Sequence, residues 1–281
     1  MKTWLITGSS RGLGRELAEA ALAAGDNVLA TARRPEQLKD LEGKYGDKVA
    51  TFALDVTDAE AAKAAVRFAQ EKFGGLDVVA NNAGYASSAP IEFMPEQDFR
   101  DQFEANFFGV VNVTRAALPL LRRQRGGHIL QFSSVGGRVG GSPGLSAYQS
   151  AKFAVEGFSE VLNNEVKPFG VRVTIIEPGP FRTDWATFSS DTASSDTAID
   201  PDYDGTVGEM DRYRAETSAT WPGDPARAGQ VIVDMVNADE PPLRLLLGAR
   251  AVDLVRQSEA KRAAEMQMWA EISRSADFPT D

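Results

Sequence analysis

The stretch TGSSRGLG, residues 7–14, joins a short apolar run at 3–7 to an amphipathic helical pattern at 11–24. Three glycines at this junction let the backbone turn tightly and approach a diphosphate, and the helix N-terminus offers unpaired N–H groups and positive dipole charge. The spacing is G-x3-G-x-G, not the familiar G-x-G-x-x-G, and no Gly-Lys-Ser/Thr follows, which disfavours a P-loop NTPase. The stretch predicts a nucleotide-binding turn; the alternative is a glycine-rich turn that only joins strand to helix. The residues expected to contact the phosphates are Gly8, Ser10, Arg11, Gly12, Leu13 and Gly14.

Short apolar runs and helical patterns alternate along most of the chain. The predicted strands are 3–7, 27–31, 49–54, 76–80, 128–132, 171–176 and 243–247. The predicted helices are 11–24, 58–73, 96–123, 147–167 and 226–237. Continuous apolar strands separated by segments of helix length are typical of a parallel sheet covered on both faces. We therefore predict a doubly wound α/β fold with a mostly parallel, seven-stranded sheet, forming one domain over residues 1–281.

The end of the second predicted strand bears on the type of dinucleotide. In an NAD site an acidic residue here holds the ribose 2′-hydroxyl, but this sequence has an alanine followed by Arg33 and Arg34. Guanidinium groups pair with a 2′-phosphate through charge-assisted hydrogen bonds, and Arg11 points to the same neighbourhood. We expect NADP(H) in preference to NAD(H); the alternative is a solvated basic surface. Asp55 and Val56 follow the third strand, where Asp55 could hold the adenine amine.

The composition excludes several chemistries. The 281 residues include 40 acidic and 30 basic residues, giving a formal net charge of -10, with no cysteine and one histidine, His128. Disulfides, Cys nucleophiles and Cys-based or multi-His metal sites are therefore excluded, and no metal is expected. A Ser-His-Asp triad would depend on His128, which we interpret as structural because it begins the fifth strand, away from the glycine turn. A pI near 4.8 disfavours binding to nucleic acid or anionic membranes.

Targeting segments are not evident in the sequence. No segment reaches the roughly 18 uninterrupted apolar residues of a transmembrane helix. The N-terminus also lacks the apolar stretch of ~7–15 residues and the small-residue cleavage site of a signal peptide. We therefore expect a cytoplasmic protein with no membrane partner.

Further motifs follow the later strands in a definite order. They are Asn81-Asn82-Ala83-Gly84, Asn106, Ser133-Ser134, the Tyr-x-x-x-Lys pair Tyr148 and Lys152, and Pro178-Gly179 with Thr183. Together with residues 7–14 they resemble the short-chain dehydrogenase/reductase family over residues 2–183, and the strand at 243–247 fits the family's last strand. The resemblance implies a Rossmann-type fold and an NAD(P)-dependent oxidoreductase.

The chemistry of the Tyr-x-x-x-Lys pair can be argued from the residues. Tyr148 and Lys152 are four apart on a predicted helix and share a face. Moving a tyrosine pKa from ~10 by ~3 units toward neutrality needs ~4 kcal/mol of stabilisation of the phenolate. The ammonium of Lys152 and a cationic nicotinamide ring would supply positive charge there. Tyr148 would give a proton to a carbonyl oxygen in reduction, or take one from an alcohol in oxidation, and Ser134 would hydrogen-bond that oxygen.

The resemblance implies further roles. Lys152 would hold the nicotinamide ribose, and Asn106 would anchor a water that continues the proton path. The nicotinamide amide would meet the backbone near 178–181 and the hydroxyl of Thr183. The other residues that the resemblance places at the cofactor are Asn82, Ala83, Gly84, Tyr148, Pro178 and Gly179.

The spacing before the tyrosine departs slightly from the family pattern. Ser134 precedes Tyr148 by 14 residues, one more than many members show. The intervening loop is rich in glycine and can absorb one residue. Ser133 is the alternative, although strand alternation points its side chain to the opposite face.

Residues 185–225 break the alternation and are expected to form a substrate lid inserted in the domain. The side chains that could cover an apolar carbonyl or alcohol are Trp185, Phe188, Tyr203, Met210, Tyr213 and Trp221. The segment holds nine acidic residues and two basic ones, so a small anionic acid is not the expected substrate. The run 148–158 resembles members that act on ketosteroid-like, retinoid-like or other lipophilic carbonyls.

The last part of the chain, 249–281, is expected to be a C-terminal helical tail with a charged helix at 249–275. It is compatible with a packed helix or with an oligomer contact. Members of the family commonly pair through two long helices, here 96–123 and 147–167. The resemblance therefore implies a homodimer or homotetramer.

Two other classes of function remain as alternatives. A non-catalytic NADP-binding regulator on the same fold would keep the glycine turn, and the intact Ser134, Tyr148 and Lys152 argue against it. An S-adenosylmethionine transferase also has a glycine-rich turn after its first strand. It would favour an acidic residue after the second strand, where this sequence has Ala32 and Arg33.

Overall fold

The computed structural model, which describes residues 1–184 and 200–278, contains a seven-stranded sheet. The strands are β1 (Thr3–Ile6), β2 (Asn27–Ala32), β3 (Val49–Ala53), β4 (Val78–Asn81), β5 (Gly127–Phe132), β6 (Val171–Pro178) and β7 (Arg244–Leu247). They lie in the order β3-β2-β1-β4-β5-β6-β7, and each neighbouring pair is parallel. The order reverses between β1 and β4, where open α/β sheets bind ligands at their carboxyl ends. The predicted doubly wound α/β fold is confirmed.

Helices cover both faces of the sheet. The α-helices of the described ranges are α1 (Gly12–Ala23), α2 (Lys39–Tyr45), α3 (Ala59–Phe73), α4 (Glu96–Phe103), α5 (Gly109–Gln124), α6 (Val135–Arg138), α7 (Ser146–Val166), α8 (Glu209–Thr217), α9 (Pro225–Val236) and α10 (Ala249–Arg274). Side chains of α1 and α9 bury one face, and side chains of α3, α5 and α7 bury the other. Trp4 and Ile6 lie in the core beneath α1 and α9, whereas Leu5 lies in the core on the other face of the sheet. This follows because successive strand residues point to opposite faces. This is why β1 reads as a continuous apolar run.

Local sequence signals set the ends of several helices. The Asp58 carboxylate accepts hydrogen bonds from the N–H groups of Glu60 and Ala61 at the start of α3. Gly74 closes the same helix in a left-handed conformation (φ +82°). Asp224 caps α9 in the same way as Asp58 caps α3. These residues explain why the boundaries of the two helices follow the sequence pattern closely.

Three elements differ from the sequence prediction. The predicted helix 96–123 is interrupted by a π-helical turn at Glu104–Phe108, where the ladder takes in an extra residue. The short α6 lies where a glycine-rich loop is predicted, because the Ser134 hydroxyl caps it by accepting from Gly136 N–H. The short α2 has no counterpart among the predicted helices.

The predicted lid segment 185–225 is partly helical. Residues 200–225 contain α8, whose few apolar positions give no clear helical period in the sequence. The lid residues Trp185, Phe188, Asp191 and Asp196 lie outside the described residues. Within the described ranges, no helix combines the length and the apolar character that crossing a membrane requires.

The C-terminal helix is attached by its first half. Ala251 and Val255 are buried, whereas residues 259–269 are all exposed. Met266 and Trp269 are among the large apolar side chains of this exposed half. The helix predicted at 249–275 is thus present, with most of its length on the surface.

Candidate active site

The predicted site residues gather at the carboxyl edge of the sheet, around the switch between β1 and β4. The glycine turn after β1 contacts residues 82–83 after β4. Gly84 in turn lies next to Asn106 and Lys152. Thr183, which follows β6, lies against Gly12. Segments far apart in the sequence therefore form one continuous wall.

The glycine turn is locked by the amide of Asn82. Its Nδ2 donates to the carbonyl oxygens of Thr7 (2.9 Å) and Gly8 (3.2 Å), and the Thr7 hydroxyl accepts from the N–H groups of Asn82 and Ala83, both at 2.9 Å. A Cβ built at Gly8 would lie 2.9 Å from Ala83 Cα, and one at Gly14 would overlap Asn82 Nδ2 and Gly8 O. Gly8 and Gly14 are therefore required because Asn82 and Ala83 pack closely against them, whether or not a ligand also binds there.

Gly12 differs from the other two glycines of the turn. It has a positive φ of +58°, and among the described residues a Cβ there would meet only Thr183, at 3.6 Å. The N-terminus of α1 begins at this residue without a side-chain cap and without an acidic residue in its first turn. An uncapped helix N-terminus behind an open glycine is a suitable cradle for the diphosphate of a dinucleotide.

The three predicted arginines lie at this end of the site. Burial lowers the pKa of Arg11, and the charge of Arg33 lowers it further, whereas Asp184 raises it. Arg11 and Arg33 are therefore close enough to repel each other, which an anion between them would relieve. Arg34 is exposed and precedes the 3₁₀ turn Pro35–Leu38.

The residues after β3 are tied to their own loop. One carboxylate oxygen of Asp55 accepts from the N–H (3.0 Å) and the hydroxyl (2.8 Å) of Thr57. The carbonyl of Val56 accepts from Asn112 Nδ2 at 3.1 Å, and its side chain packs where a Cβ at Gly109 would lie. Asp55 remains exposed at the rim of the site, and Val56 is buried beneath it.

Tyr148 and Lys152 share the buried face of α7. Lys152 Nζ lies 5.7 Å from the centroid of the Tyr148 ring and donates to the Phe132 carbonyl at 2.7 Å. The hydroxyls of Tyr148 and Ser134 are hydrogen-bonded. Tyr148 and Lys152 are 8% and 3% exposed, so both titratable groups are largely removed from water.

The two adjacent serines at the end of β5 point in opposite directions. Ser134 faces Tyr148, whereas Ser133 is buried and its hydroxyl donates to the Lys152 carbonyl at 3.5 Å. A Cβ at Gly137 would lie 2.5 Å from Ser133 Oγ and 2.8 Å from Lys152 Cβ. The extra residue in the loop before Tyr148 therefore leaves Ser134 within reach of the tyrosine.

The pKa values of the pair follow from burial. Burial raises the pKa of Tyr148 to about 12, against an opposing hydrogen bond from Ser134. Burial also lowers the pKa of Lys152 to about 8, and the negative charge of Glu156 opposes that shift. In the protein without cofactor, burial thus moves the pKa of Tyr148 away from neutrality, and a shift toward neutrality caused by Lys152 and a nicotinamide ring stays a prediction. At neutral pH Tyr148 is a protonated acid.

Asn106 lies in the π-helical turn and is completely buried. Its Oδ1 accepts from the Tyr85 N–H (3.1 Å), and its Nδ2 donates to the carbonyls of Tyr85 and Gln102, both at 2.8 Å. A Cβ at Gly84 would overlap Asn106 Oδ1. The Asn106 side chain thus holds the segment after β4, and its role in anchoring a water stays a prediction.

The segment after β6 forms another side of the site. Gly179 N–H donates to the Leu247 carbonyl at 3.0 Å, and Thr183 N–H donates to the Phe181 carbonyl at 2.9 Å. Pro178 ends β6, and Phe181 is buried and forms a parallel bridge with Gly223. This segment holds Thr183 against Gly12.

The docking of α8 was not expected from the sequence. Buried Arg214 donates to Asp211 Oδ1 (2.6 Å) and to the Pro143 carbonyl (2.9 Å), and Ser88 donates to the same Asp211 oxygen (2.8 Å). A Cβ at Gly144 would overlap Ser88 Oγ. The only sequence signal is an Asp-x-x-Arg spacing, which is common on exposed helices. The contacts tie α8 to the loop before Tyr148.

An apolar surface lies beside the tyrosine. Ala86, Leu145 and Tyr148 form a small buried cluster. Ala86 follows β4, and Leu145 precedes α7.

His128 lies away from this site, as the sequence suggests. It is buried in β5, and its Nε2 lies 2.9 Å from the hydroxyl of Thr174 on β6. Burial lowers its pKa to about 4, and the charges of Arg172 and Lys2 add to the shift. It is a neutral structural residue at pH 7.

Comparisons with known proteins agree with this geometry. A family model described as short chain dehydrogenase matches residues 2–194. The oxidoreductase BOA17 of Botryotinia fuckeliana is 49% identical over 97% of this chain and 98% of its own length. The NADPH-dependent 3-dehydrocapnine reductase of Ornithobacterium rhinotracheale is 35% identical over 75% of this chain and 76% of its own. The crystal structure of a short-chain dehydrogenase from Streptomyces avermitilis is 39% identical, with a TM-score of 0.87 and coverage of 99% and 100%.

Proposed function

The chain belongs to the short-chain dehydrogenase/reductase family of oxidoreductases, and from this premise we propose that it reduces a lipophilic ketone or aldehyde with NADPH. The observation that carries the proposal is the protonated, buried Tyr148 beside Ser134 and Lys152. A tyrosine that is protonated at neutral pH can give its proton to a carbonyl oxygen, so the pair is suited to carbonyl reduction.

Each side chain of the pair has a separate task. Tyr148 gives its phenolic proton to the carbonyl oxygen of the substrate. Ser134 donates a hydrogen bond to that oxygen while negative charge develops on it. Lys152, held by the Phe132 carbonyl, supplies positive charge on the same face of α7. The bound cofactor would supply the hydride that the substrate carbon receives.

The cofactor is proposed to lie along the glycine turn. The residues that would hold it are Gly8, Ser10, Arg11, Gly12, Leu13 and Gly14 at the phosphates, Arg33 and Arg34 at the 2′-phosphate, Asp55 and Val56 at the adenine, and Asn82, Ala83, Gly84, Tyr148, Lys152, Pro178, Gly179 and Thr183 toward the nicotinamide. The closeness of Arg11 and Arg33 supports NADP(H) over NAD(H), because both guanidinium groups could pair with a 2′-phosphate. The printed name of the Ornithobacterium rhinotracheale relative, an NADPH-dependent reductase, supports the same preference.

The preference for a lipophilic substrate is supported by the surface beside the tyrosine. Ala86 and Leu145 offer apolar contacts on one side. The lid segment carries few cations, and its buried Arg214 is already paired with Asp211. A small acid would find no free guanidinium there among the described residues.

A homo-oligomer is proposed from the apolar surface of the long helices. Phe108 before α5 and Phe153 and Val161 on α7 are 45%, 41% and 58% exposed. A groove of about 520 Å³ beside α4 is lined by Phe99, Phe103 and Phe108. Exposed aromatic side chains on two neighbouring helices are typical of an interface between copies.

The direct test is a reaction with NADPH and a panel of aromatic, aliphatic and steroid-like ketones and aldehydes, followed as the loss of absorbance at 340 nm. We expect turnover with at least one lipophilic carbonyl and weaker turnover with small keto acids. Tight NADPH binding without turnover of any carbonyl in the panel would instead favour a non-catalytic NADP-binding regulator.

A further inference from the structure

A row of acidic and basic side chains lies next to the candidate active site, between α7 and the elements packed against it. It consists of Glu160, Arg244, Glu156, Glu177, Arg138 and Glu259, which we call the buried charge row. Arg244 Nε lies 3.2 Å from both Glu156 Oε2 and Glu177 Oε1, and Arg138 Nη1 lies 3.1 Å from Glu177 Oε2. The side chain of Glu177 is completely buried, whereas Glu160 and Glu259 at the two ends are about half exposed.

Glu156 joins this row to the catalytic pair. Tyr148, Lys152 and Glu156 follow one another at intervals of four residues, so all three lie on the buried face of α7. Glu156 Oε2 accepts from Arg244 Nε at 3.2 Å, and Glu156 Oε1 is buried without a hydrogen-bond partner among the described residues. The proposed mechanism uses neither of these groups.

The buried ammonium of Lys152 needs a nearby negative charge to stabilise it. The ammonium is buried, and burial lowers its pKa to about 8, against which the charge of Glu156 acts. Burial also raises the pKa of Glu156 to about 7 and Glu177 raises it further, whereas Ser133 and Arg244 lower it. Glu156 is thus a titratable group one helical turn from Lys152 whose negative charge favours the ammonium.

Charged or titratable groups from each packed element lie around Lys152 and Glu156. They are Tyr148 and Glu160 on α7, Glu177 on β6, Arg244 on β7, Arg138 on α6 and Glu259 on α10. Four carboxyl groups share two guanidinium groups in the row, which leaves negative charge to balance the ammonium. Glu156 is the member of the row nearest to Lys152 along the helix.

We propose that Glu156 is a positioning residue that keeps Lys152 charged: its carboxylate, held by Arg244, balances the buried ammonium beside Tyr148. It touches neither the substrate nor the cofactor and acts through Lys152. The inference rests on the proposed function for its catalytic consequence, but the charge state of Lys152 can be measured without cofactor or substrate.

The test is the titration of Lys152 Nζ by ¹⁵N-detected NMR in the protein without cofactor, in wild type, Glu156→Gln and Glu160→Gln. We expect Glu156→Gln to lower the pKa of Lys152 by about one unit, the shift typical of losing a nearby opposite charge. Glu160→Gln is the matched control, since Glu160 binds the same Arg244 but lies a further turn away and is exposed. It should leave the titration unchanged.

Two more variants keep the test decisive. Glu156→Asp retains the charge and should titrate like wild type; an equal shift in Asp and Gln variants would attribute the effect to packing and overturn the proposal. Ser133→Ala removes a hydroxyl that lowers the pKa of Glu156, so it should shift the pKa of Lys152 downward by a smaller amount. If neither Glu156→Gln nor Ser133→Ala moves the titration, the proposal is wrong.

The catalytic consequence is measured separately. In the pH profile of kcat/KM, the loss of activity on the alkaline side should move about one unit lower in Glu156→Gln and stay in place in Glu160→Gln. A wild-type protein that reduces no carbonyl would end the proposed function, while the Lys152 titration would still decide the role of Glu156.

Discussion

The side-chain amide of Asn82 fills the space that a β-carbon at Gly14 would occupy. The amide is fixed there because it donates to the carbonyls of Thr7 and Gly8. The motif after β4 thus shapes the glycine turn after β1, and the two cannot vary independently. Because of this contact, we expect a substitution at Gly14 to reduce the stability of the fold.

We expect Gly14→Ala to lower the free energy of unfolding by about 2 kcal/mol, because the new methyl group must displace a hydrogen-bonded amide. Urea unfolding measures this change. Gly43→Ala in α2 is the matched control, since a β-carbon there meets nothing within 4 Å. The control should gain about 0.5–1 kcal/mol from helix propensity. Equal stabilities for the two variants would show that the packing described here is wrong.

The sequence predicts the sheet well because its strands are buried on both faces. β1 and β5 stand out as apolar runs next to recognisable turns, and the caps Asp58 and Asp224 mark helix starts. The order of the motifs matches the family pattern, and from this match the sequence alone predicts that Ser134, Tyr148 and Lys152 lie in one site.

Other features depend on contacts between distant segments and leave no local pattern. α8 has few apolar positions and is held by Arg214 through the Pro143 carbonyl, 71 residues away. The role of Gly14 depends on Asn82. The raised pKa of Tyr148 depends on the extent of burial, which spacing along a helix does not reveal.

The second prediction concerns cofactor choice. Arg33→Ala should weaken NADPH binding about 10–100-fold, because a charge-assisted hydrogen bond to the 2′-phosphate is worth about 1.5–3 kcal/mol. NADH binding should change little. Fluorescence titration of both cofactors measures this, with the exposed Arg67→Ala on α3 as a control that should bind both like wild type. A wild-type protein that binds NADH more tightly than NADPH would refute the preference.

The third prediction concerns the docking of α8. Arg214→Met removes the contacts to Asp211 and the Pro143 carbonyl, so the lid should lose its fixed position beside the loop before Tyr148. We expect KM for the carbonyl substrate to rise about tenfold, equivalent to about 1.4 kcal/mol, with NADPH affinity unchanged.

Arg212→Met is the control for this variant. Arg212 lies two residues earlier in the same helix and pairs with Asp204 on the surface, where such pairs contribute about 0–1 kcal/mol. Steady-state kinetics should show wild-type KM for it. If both variants change KM equally, the buried contacts of Arg214 have no special role in holding the lid.

The fourth prediction is a loss of stability in acid caused by His128. The Thr174 hydroxyl donates to the Pro242 carbonyl (2.6 Å), so His128 Nε2 carries the proton that bonds to Thr174, and Nδ1 is a buried acceptor without a partner among the described residues. The pKa of His128 is about 4 in the folded protein and about 6.5 in the unfolded chain. Between these values the unfolded chain binds a proton that the folded protein does not.

Stability therefore falls as the pH drops from 6.5 toward 4, and the full loss of about 3 kcal/mol is present below pH 4. Above pH 6.5 this residue has no effect. Urea unfolding at pH 7.5 and pH 5 should show wild type losing about 2 kcal/mol more than His128→Gln over this interval. Parallel pH dependence in the two proteins would contradict the buried neutral histidine.

The central claim is that Tyr148 is the acid in an NADPH-linked carbonyl reduction. Its most direct test is kcat/KM of Tyr148→Phe with a carbonyl that the wild type reduces, followed at 340 nm, with NADPH affinity measured in parallel. Tyr45→Phe, on α2, controls for loss of a tyrosine hydroxyl elsewhere. We predict a fall of at least about 100-fold for Tyr148→Phe with NADPH still bound, and wild-type kinetics for the control. Reduction by Tyr148→Phe at the wild-type rate would contradict the account.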